Sequence, residues 1–212
     1  MSLSTKLFAT IRGGPSDGGE IALRSNTSGE QLVAQGFPPN TEMTRKYNRV
    51  SAMNTSALAA LVVRPSTVAN FTIFNPTTSG SDYIMDQIFA FNLVSTAAQA
   101  RSGMWYCVHP TGLVSPTADI TARGWGRGTA GTDVSVADTA MTVTNDGWFP
   151  IGPWSDVEPT GVLPGAIMVA EFNGRVIVPP GCGISGQVVS SVVGNTFTMG
   201  FSWYAVPELS KG

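Results

Sequence analysis

The sequence predicts an all-β protein: an antiparallel β-sandwich or jelly roll that carries an extended N-terminal arm. Two observations predict this fold class. From about residue 57 onward, short runs of β-branched and aromatic residues are separated by turn residues at intervals of about 8–12 residues. Before that point, no helical or strand period lasts more than a few residues. We therefore divide the chain into an arm, residues 1–55, and a sandwich body, residues 56–212.

The arm contains pairs of glycines and prolines in a largely polar sequence, and its apolar residues are too sparse to form a core. A compact domain rarely keeps so long an irregular segment unless the segment is functional or tied to a partner. Near the end of the arm, a small basic cluster surrounds one aromatic residue. This cluster is either a solvated face or an anchor on an acidic neighbouring subunit, and its members are Arg45, Lys46, Tyr47 and Arg49.

Nine segments of the body have the composition and length of strands. Two tight turns are also indicated. Asn173-Gly174 is typical of a type I′ hairpin because both residues tolerate a positive φ, and Gly194-Asn195 indicates a second hairpin before the last strand. Residues 110–138 are Gly-rich and weakly patterned, which predicts an exposed loop or a partly ordered insertion. The predicted strands are residues 58–64, 70–75, 83–94, 103–109, 140–148, 166–172, 175–178, 183–193 and 196–206.

The last predicted strand has the clearest alternation, because every second residue from Phe197 to Trp203 is large and apolar. Residues 83–94 are apolar on both faces, which predicts a central strand covered on both sides. A two-layer sandwich buries only the inward face of each sheet, so some aromatic side chains of these two strands need cover from another subunit. The candidates for this subunit interface are Phe89, Phe91, Trp203 and Tyr204.

The chain is poor in charge. Charged residues make up 12% of it, about half of the ~25% found in soluble domains. Two explanations apply together: Ser, Thr and Asn coat part of the surface, and other subunits cover another part. The net charge of -2 gives no indication of nucleic-acid binding. No segment approaches the ~20 apolar residues of a membrane span, and no signal peptide is recognisable, so we expect synthesis in the cytoplasm and no membrane partner.

Catalytic and metal chemistry are not expected. His109 is the single histidine, and any Ser-His-Asp or Cys-His system would have to use it. Cys107 lies on the same face of the predicted strand, but with Cβ atoms about 7 Å apart the two side chains are too distant for a direct hydrogen bond without bending. One histidine and two scattered cysteines, Cys107 and Cys182, supply too few ligands for a metal site. We therefore expect no enzyme activity, no metal and no cofactor.

Carbohydrate contact is a second possibility for the surface, because aromatic side chains in loops stack on sugars. Asp156 and Glu158 follow a tryptophan in one predicted loop, but 14 acidic residues in the chain produce such neighbours by chance. The aromatic residues that could contact a glycan are Trp125, Trp148 and Trp154.

The C-terminal third carries a resemblance. A strand that leads into Pro179-Pro180-Gly181, then a strand of small and apolar residues from Gly183, then a final aromatic strand around Trp203, resembles the last strands of jelly-roll proteins in tailed-phage virions. The capsid decoration (cement) type is the most similar, and the resemblance covers about residues 57–207. It implies a structural role on the capsid surface, commonly as a homotrimer bound to the major capsid protein or another virion protein. The alternative is a carbohydrate-binding jelly roll in a tail fibre or baseplate.

Overall fold

The computed structural model describes Thr44 and residues 49–95, 100–110, 120–125, 136–139, 141–143, 146–157 and 167–207. The chain divides into two compact units, Met1–Pro38 and Pro39–Gly212, and all the described residues belong to the second unit. Apart from Thr44, the predicted arm up to residue 48 therefore lies outside the described residues.

The described residues form strands arranged in two antiparallel sheets, so the predicted all-β fold class is confirmed. In chain order the strands are β1 (Arg49–Met53), β2 (Leu58–Ala59), β3 (Phe71–Phe74), β4 (Ser81–Val94), β5 (Ala100–His109), β6 (Arg123–Gly124), β7 (Val136–Asp138), β8 (Phe149–Val157), β9 (Ile167–Glu171), β10 (Ile177–Val178), β11 (Gly183–Ser190) and β12 (Thr196–Pro207).

The pairing of the strands follows jelly-roll topology. The larger sheet has the order β10-β4-β12-β1-β6, with β9 also on β4 and β2 also on β12. The smaller sheet has the order β7-β3-β11-β5-β8. Early strands pair with late ones in a nested series: β1 with β12, β3 with β11, β4 with β9 and β5 with β8. This nesting of two Greek keys is the pattern of a jelly roll.

The predicted boundary between arm and body at residue 55 is wrong. Strand β1 pairs with β12 along its whole length, with Val50 opposite Trp203 and Ala52 opposite Phe201. Both Val50 and Ala52 are buried in the core. Two alternating apolar residues are too short a pattern to reveal a strand whose partner lies at the other end of the chain. The body therefore includes residues from Arg49 onward.

Strand β8 was not predicted, because it contains Pro150, Gly152 and Pro153, which usually exclude a central strand. It pairs with β5 at the edge of the smaller sheet and is interrupted by an irregularity opposite Ser102 and Met104. Among the described part of residues 140–148, only Thr142 forms a bridge, to Val68, so the strand predicted there is wrong. Short strands β6 and β7 lie where a loop was predicted.

The two predicted hairpins are also wrong, although Asn173 and Gly174 have the positive φ values expected for their turn. Asn173 and Gly174 have φ values of 50° and 73°. The flanking strands β9 and β10 do not pair with each other, because both pair with β4 on the same edge. Gly194, with φ 92°, precedes β12 in the larger sheet, whereas β11 before it belongs to the smaller sheet. Long-range strand pairing therefore overrides the local signal for a hairpin.

Aromatic side chains from both sheets fill the core between them. Phe201 stacks on Phe71 and on Phe172, with ring centroids 6.0 Å and 6.3 Å apart. Phe197, Met199, Phe201 and Trp203 are all buried, which confirms the inward face predicted for the last strand. The two sheets are in close contact at Gly186 of β11, where an added Cβ would lie 2.5 Å from Met199 Cε of β12.

Candidate interaction surface

An apolar patch lies on the outer face of the larger sheet. In β9, Ile167 and Val169 are exposed by 64% and 44%, while the alternate residues Met168 and Ala170 are buried. Directly opposed residues on neighbouring strands lie on the same face of a sheet. One row on this face therefore runs from Val169 of β9 through Phe89 of β4 and Gly200 of β12 to Met53 of β1. Ile167 is followed by Phe91. We call the exposed and half-buried side chains of these rows the outer patch; its members are Met53, Phe89, Phe91, Ile167 and Val169.

Because Gly200 has no side chain, the ring of Phe89 can lie over strand β12 on the outer face of the sheet. A Cβ at position 200 would lie 2.9 Å from Phe89 Cζ and 2.2 Å from the backbone oxygen of Ala52. The missing side chain thus leaves space for the phenyl ring on the surface of β12. This packing keeps Phe89 half-buried in the outer patch.

A largely buried ion pair adjoins the outer patch on the same face. Arg49 Nη2 lies 2.6 Å from Asp86 Oδ2, and Ser202 Oγ donates a hydrogen bond to the same oxygen at 3.2 Å. The Arg49 guanidinium also lies 3.8 Å from the ring centroid of Trp125 and 5.6 Å from that of Tyr204. We call these five residues the Arg49 cluster. Asp86 reaches it from an irregularity in β4, where the register with β12 shifts between Ser202 and Trp203.

The electrostatics of the Arg49 cluster suit a covered surface. The opposite charges of Arg49 and Asp86 neutralise each other, so burial of the neighbouring patch leaves neither of them unpaired. The pKa of Tyr204 is raised, chiefly by burial and to a smaller extent by the negative charge of Asp86. The positive charge of Arg49 acts in the opposite direction and lowers it. Among the described residues, Arg49 Nε and Tyr204 Oη are buried without a hydrogen-bond partner. The cluster is therefore held mainly by the ion pair and the ring contacts.

The four predicted subunit-interface residues separate into two groups. Phe89 and Phe91 are half-buried on the outer face, where a neighbour could cover them. Tyr204 is on the same face, in the Arg49 cluster, but only 8% exposed. Trp203 is fully buried inside the protein, with its ring centroid 6.0 Å from that of Tyr83. The interface role predicted for Trp203 is therefore wrong, because Trp203 lies on the same inward face of β12 as Phe197, Met199 and Phe201.

The basic cluster of the predicted arm is only partly within the described residues. Arg49 lies in β1 and is bound to Asp86, so it is not a free anchor for an acidic neighbour, and that prediction is wrong for this residue. Arg45, Lys46 and Tyr47 lie outside the described residues.

The three candidate glycan contacts differ in exposure. Trp125 is 50% exposed, with one face of its indole next to Arg49. Trp148 is buried, and its Nε1 donates to the backbone oxygen of Ser66 at 2.8 Å, so the predicted glycan contact is wrong for this residue. Trp154 lies in β8, and its side chain is outside the described part of the structure.

Cys107 and His109 are closer than the sequence suggested. Cys107 Sγ lies 3.7 Å from His109 Nδ1, because side chains that start on the same face can lean together. His109 Nε2 lies 2.7 Å from Ser185 Oγ, which lies 2.7 Å from Thr72 Oγ1. Burial lowers the pKa of His109 to about 4. Cys107 and Cys182 are buried and not bonded to each other.

A second, smaller hydrophobic core lies on the outer face of the smaller sheet and includes Cys107 of this pair. Its members are Ala69, Cys107, Met141, Val143 and Trp148. Within the described ranges, no three His, Cys, Asp or Glu side chains are grouped so that they could hold a metal ion together.

Sequence reasoning did not find the Arg49 cluster. Arg49 and Asp86 are 37 residues apart, and the segment that supplies Trp125 has no strand pattern. The run Ile167-Met168-Val169-Ala170 is apolar throughout, so its two faces could not be distinguished before the pairing with β4 was known.

Comparison with models of protein families finds no match for this chain, and comparison with curated proteins finds none either. In the part of the chain that the structure describes, no helix has the length and apolar character needed to cross a membrane. The fold and the surface define the class: a jelly-roll β-sandwich with an apolar patch and a neutralised ion pair on the outer face of its larger sheet.

Proposed function

We propose that this chain is a non-enzymatic structural subunit of a virion, a decoration (cement) protein that binds the capsid shell of a tailed phage and associates with copies of itself. The observation that carries the proposal is the outer patch. Its exposed isoleucine and valine side chains belong to a regular sheet and lie on the face opposite the core between the two sheets. Contiguous apolar patches on a folded surface mark sites of protein contact.

A second copy of the chain is the partner that fits the outer patch best. The patch is apolar, and copies arranged around one symmetry axis bring their patches together at that axis, so the same surface serves every subunit. Burial of apolar area contributes about 25 cal/mol per Å². The ion pair beside the patch avoids the cost of burying an unpaired charge. The virion role and the preference for a trimer rest on the resemblance of the C-terminal strands to decoration proteins.

Shell binding is assigned to the basic cluster of the N-terminal segment. Co-expression with the major capsid protein encoded in the same genome, followed by sedimentation, tests the proposal. We expect the unaltered chain to sediment with the shells. The double change Arg45→Glu and Lys46→Glu should leave it in the unassembled fraction, because the charge that attracts an acidic neighbour is reversed. Arg64→Glu, at an exposed position of the body, is the matched control and should still bind. Absence of the unaltered chain from the shell fraction would contradict the proposal.

Carbohydrate binding in a tail fibre or baseplate is the second candidate function. The exposed ring of Trp125, held in place by Arg49, favours it. A glycan array with the unaltered chain and with Trp125→Ala separates the two functions. Binding that depends on Trp125 would support the second function, and an array without signal would leave shell binding as the proposed function.

A further inference from the structure

Among the described residues, one methionine lies at the surface and the others lie in the interior. Met53, the last residue of β1, is 45% exposed. The other methionines in the described ranges are at most 9% exposed; they are Met85, Met104, Met141, Met168 and Met199. Met1 and Met43 lie outside the described residues. Oxidation of a side-chain sulfur by a dissolved oxidant follows its exposure, so the fold directs oxidation to Met53.

Met53 belongs to the outer patch. Gly200 lies opposite Met53 and Phe89 lies opposite Gly200, so the three residues occupy one row on the outer face. A Cβ built on Gly200 would lie 2.9 Å from Met53 Cα and 2.9 Å from Phe89 Cζ, so the methionine and the phenyl ring border the same gap over β12. A methionine side chain is flexible, and its sulfur makes favourable contacts with aromatic rings. It therefore suits a surface that packs against a second copy.

The rest of the outer patch offers no hydrogen-bond donor to an oxygen on this sulfur. The side chains of Phe89, Phe91, Ile167 and Val169 are hydrocarbons, and the same side chains of a second copy are hydrocarbons too. A polar group that is buried without a hydrogen-bond partner is costly. A sulfoxide at Met53 is solvated by water in the free chain. The same sulfoxide opposes burial of the outer patch in an interface.

We propose that Met53 is a site of reversible oxidation by peroxides, and that its sulfoxide prevents self-association through the outer patch. The inference rests on the proposed self-association. In the forward step the O–O bond of hydrogen peroxide breaks, one oxygen forms a bond to the Met53 sulfur, and the peroxide is reduced to water. The sulfur loses two electrons. A methionine sulfoxide reductase reverses the step: the oxygen leaves as water, and two thiols are oxidised to a disulfide.

Assembly and oxidation exclude each other. In the proposed assembly the outer patch is covered, so peroxide reaches Met53 after a subunit has dissociated. A subunit that is oxidised while it is free returns to the assembly with an affinity lowered at least about tenfold, as expected for one buried polar group without a hydrogen bond. Oxidised chains therefore accumulate as single chains.

Hydrogen peroxide is the probe for the test, and the full-length chain is followed by light scattering and by mass spectrometry of its peptides. The fraction of single chains should rise in step with the fraction of Met53 that carries one added oxygen. The buried methionines should be oxidised at least about tenfold more slowly. Met53→Leu is the matched control, because leucine is apolar and of similar volume. It retains Met1, Met43 and both cysteines and should stay assembled. Reduction of the oxidised chain by the two sulfoxide reductases, one for each epimer, should restore the assembly.

Assembled chains that carry the Met53 sulfoxide would overturn the proposal. So would equal dissociation of the Met53→Leu chain, oxidation of the buried methionines ahead of Met53, or oxidised chains that stay apart after reduction. The unaltered chain alone suffices for the first, third and fourth of these results if the variant fails to fold. Light scattering before peroxide is added keeps the two proposals distinct. Single chains at that point would contradict self-association itself, whereas an assembly that withstands oxidation of Met53 would contradict only the role of Met53.

Discussion

The guanidinium group of Arg49 lies 2.6 Å from the carboxylate of Asp86 on the outer face of the larger sheet. The two residues belong to β1 and β4, which are not neighbours, because β12 lies between them. Their side chains therefore cross the surface of β12 and connect the first described strand of the chain to β4 on the far side of β12. The side chains are exposed by only 14% and 10%.

Removal of one partner of this ion pair should destabilise the fold. We expect Asp86→Ala to lower the free energy of unfolding by about 2 kcal/mol, because Arg49 then stays largely buried without its counter-charge. Denaturation by urea measures the change. The double change Arg49→Met and Asp86→Leu should recover most of the loss, since it removes both charges together. A loss in Asp86→Ala of no more than about 0.5 kcal/mol would place the pair among weak surface ion pairs and contradict the expectation.

Two glycines, one in β11 and one in β12, should differ in their tolerance of alanine. At Gly200 an added Cβ would lie 2.2 Å from the backbone oxygen of Ala52, whereas at Gly186 the nearest atom is the flexible Cε of Met199 at 2.5 Å. A methionine side chain can move and a paired strand cannot. We expect Gly200→Ala to cost about 3 kcal/mol or more and Gly186→Ala about 1 to 2 kcal/mol. Thermal unfolding of both variants checks the order, and the reverse order would contradict it.

His109 should make the stability depend on pH. Its pKa is lowered by burial from 6.5 to about 4 in the folded chain. The unfolded chain therefore takes up a proton at a higher pH than the folded chain. Above pH 6.5 the contribution of the neutral ring is complete, and it falls as the pH decreases from 6.5 to about 4. The expected total loss is about 2 to 3 kcal/mol.

Urea denaturation at a series of pH values measures this loss. The His109→Gln variant is the control, because the carboxylates of the chain titrate in both proteins and their effect cancels in the difference. A constant difference between the two proteins from pH 6.5 to pH 4 would contradict the predicted role of His109.

The sequence revealed the elements that have a strong local pattern. Phe197, Met199, Phe201 and Trp203 indicated their strand and its buried face, because four large side chains at a period of two have few other arrangements. The prediction of β1 failed because Val50 and Ala52 are its only buried residues. The Asn173-Gly174 turn was predicted correctly. Its two flanking strands do not form a hairpin with each other, because both of them pair with β4.

The candidate surface was less predictable than the fold. Phe89 and Phe91 were found from a strand that is apolar on both faces, and both are half-buried on the outer face. The remaining members of the outer patch depend on the register of β9 against β4 and of β1 against β12, which no local pattern fixes. Trp148 was misassigned, since an aromatic residue next to turn residues has the same pattern whether it covers a second core or faces solvent.

Self-association through the outer patch should be sensitive to a charge placed within it. Val169→Glu puts a carboxylate among the apolar side chains of the patch, where burial in an interface would leave it unpaired. We expect this variant to dissociate into single chains while its circular dichroism stays unchanged. Val63→Glu is the matched control, since Val63 is exposed by 65% outside the outer patch and should tolerate the same change. Equal effects of the two substitutions would show that the patch is not the interface.

Light scattering of the unaltered chain at low micromolar concentration tests the central claim most directly. An assembly of three copies through the outer patch has three times the 22.2 kDa mass of one chain. We expect that mass, and we expect it to persist on dilution within this range. A mass of 22.2 kDa that is maintained at high concentration would contradict the account, and the low charge of the surface would then be explained by its Ser, Thr and Asn coat alone.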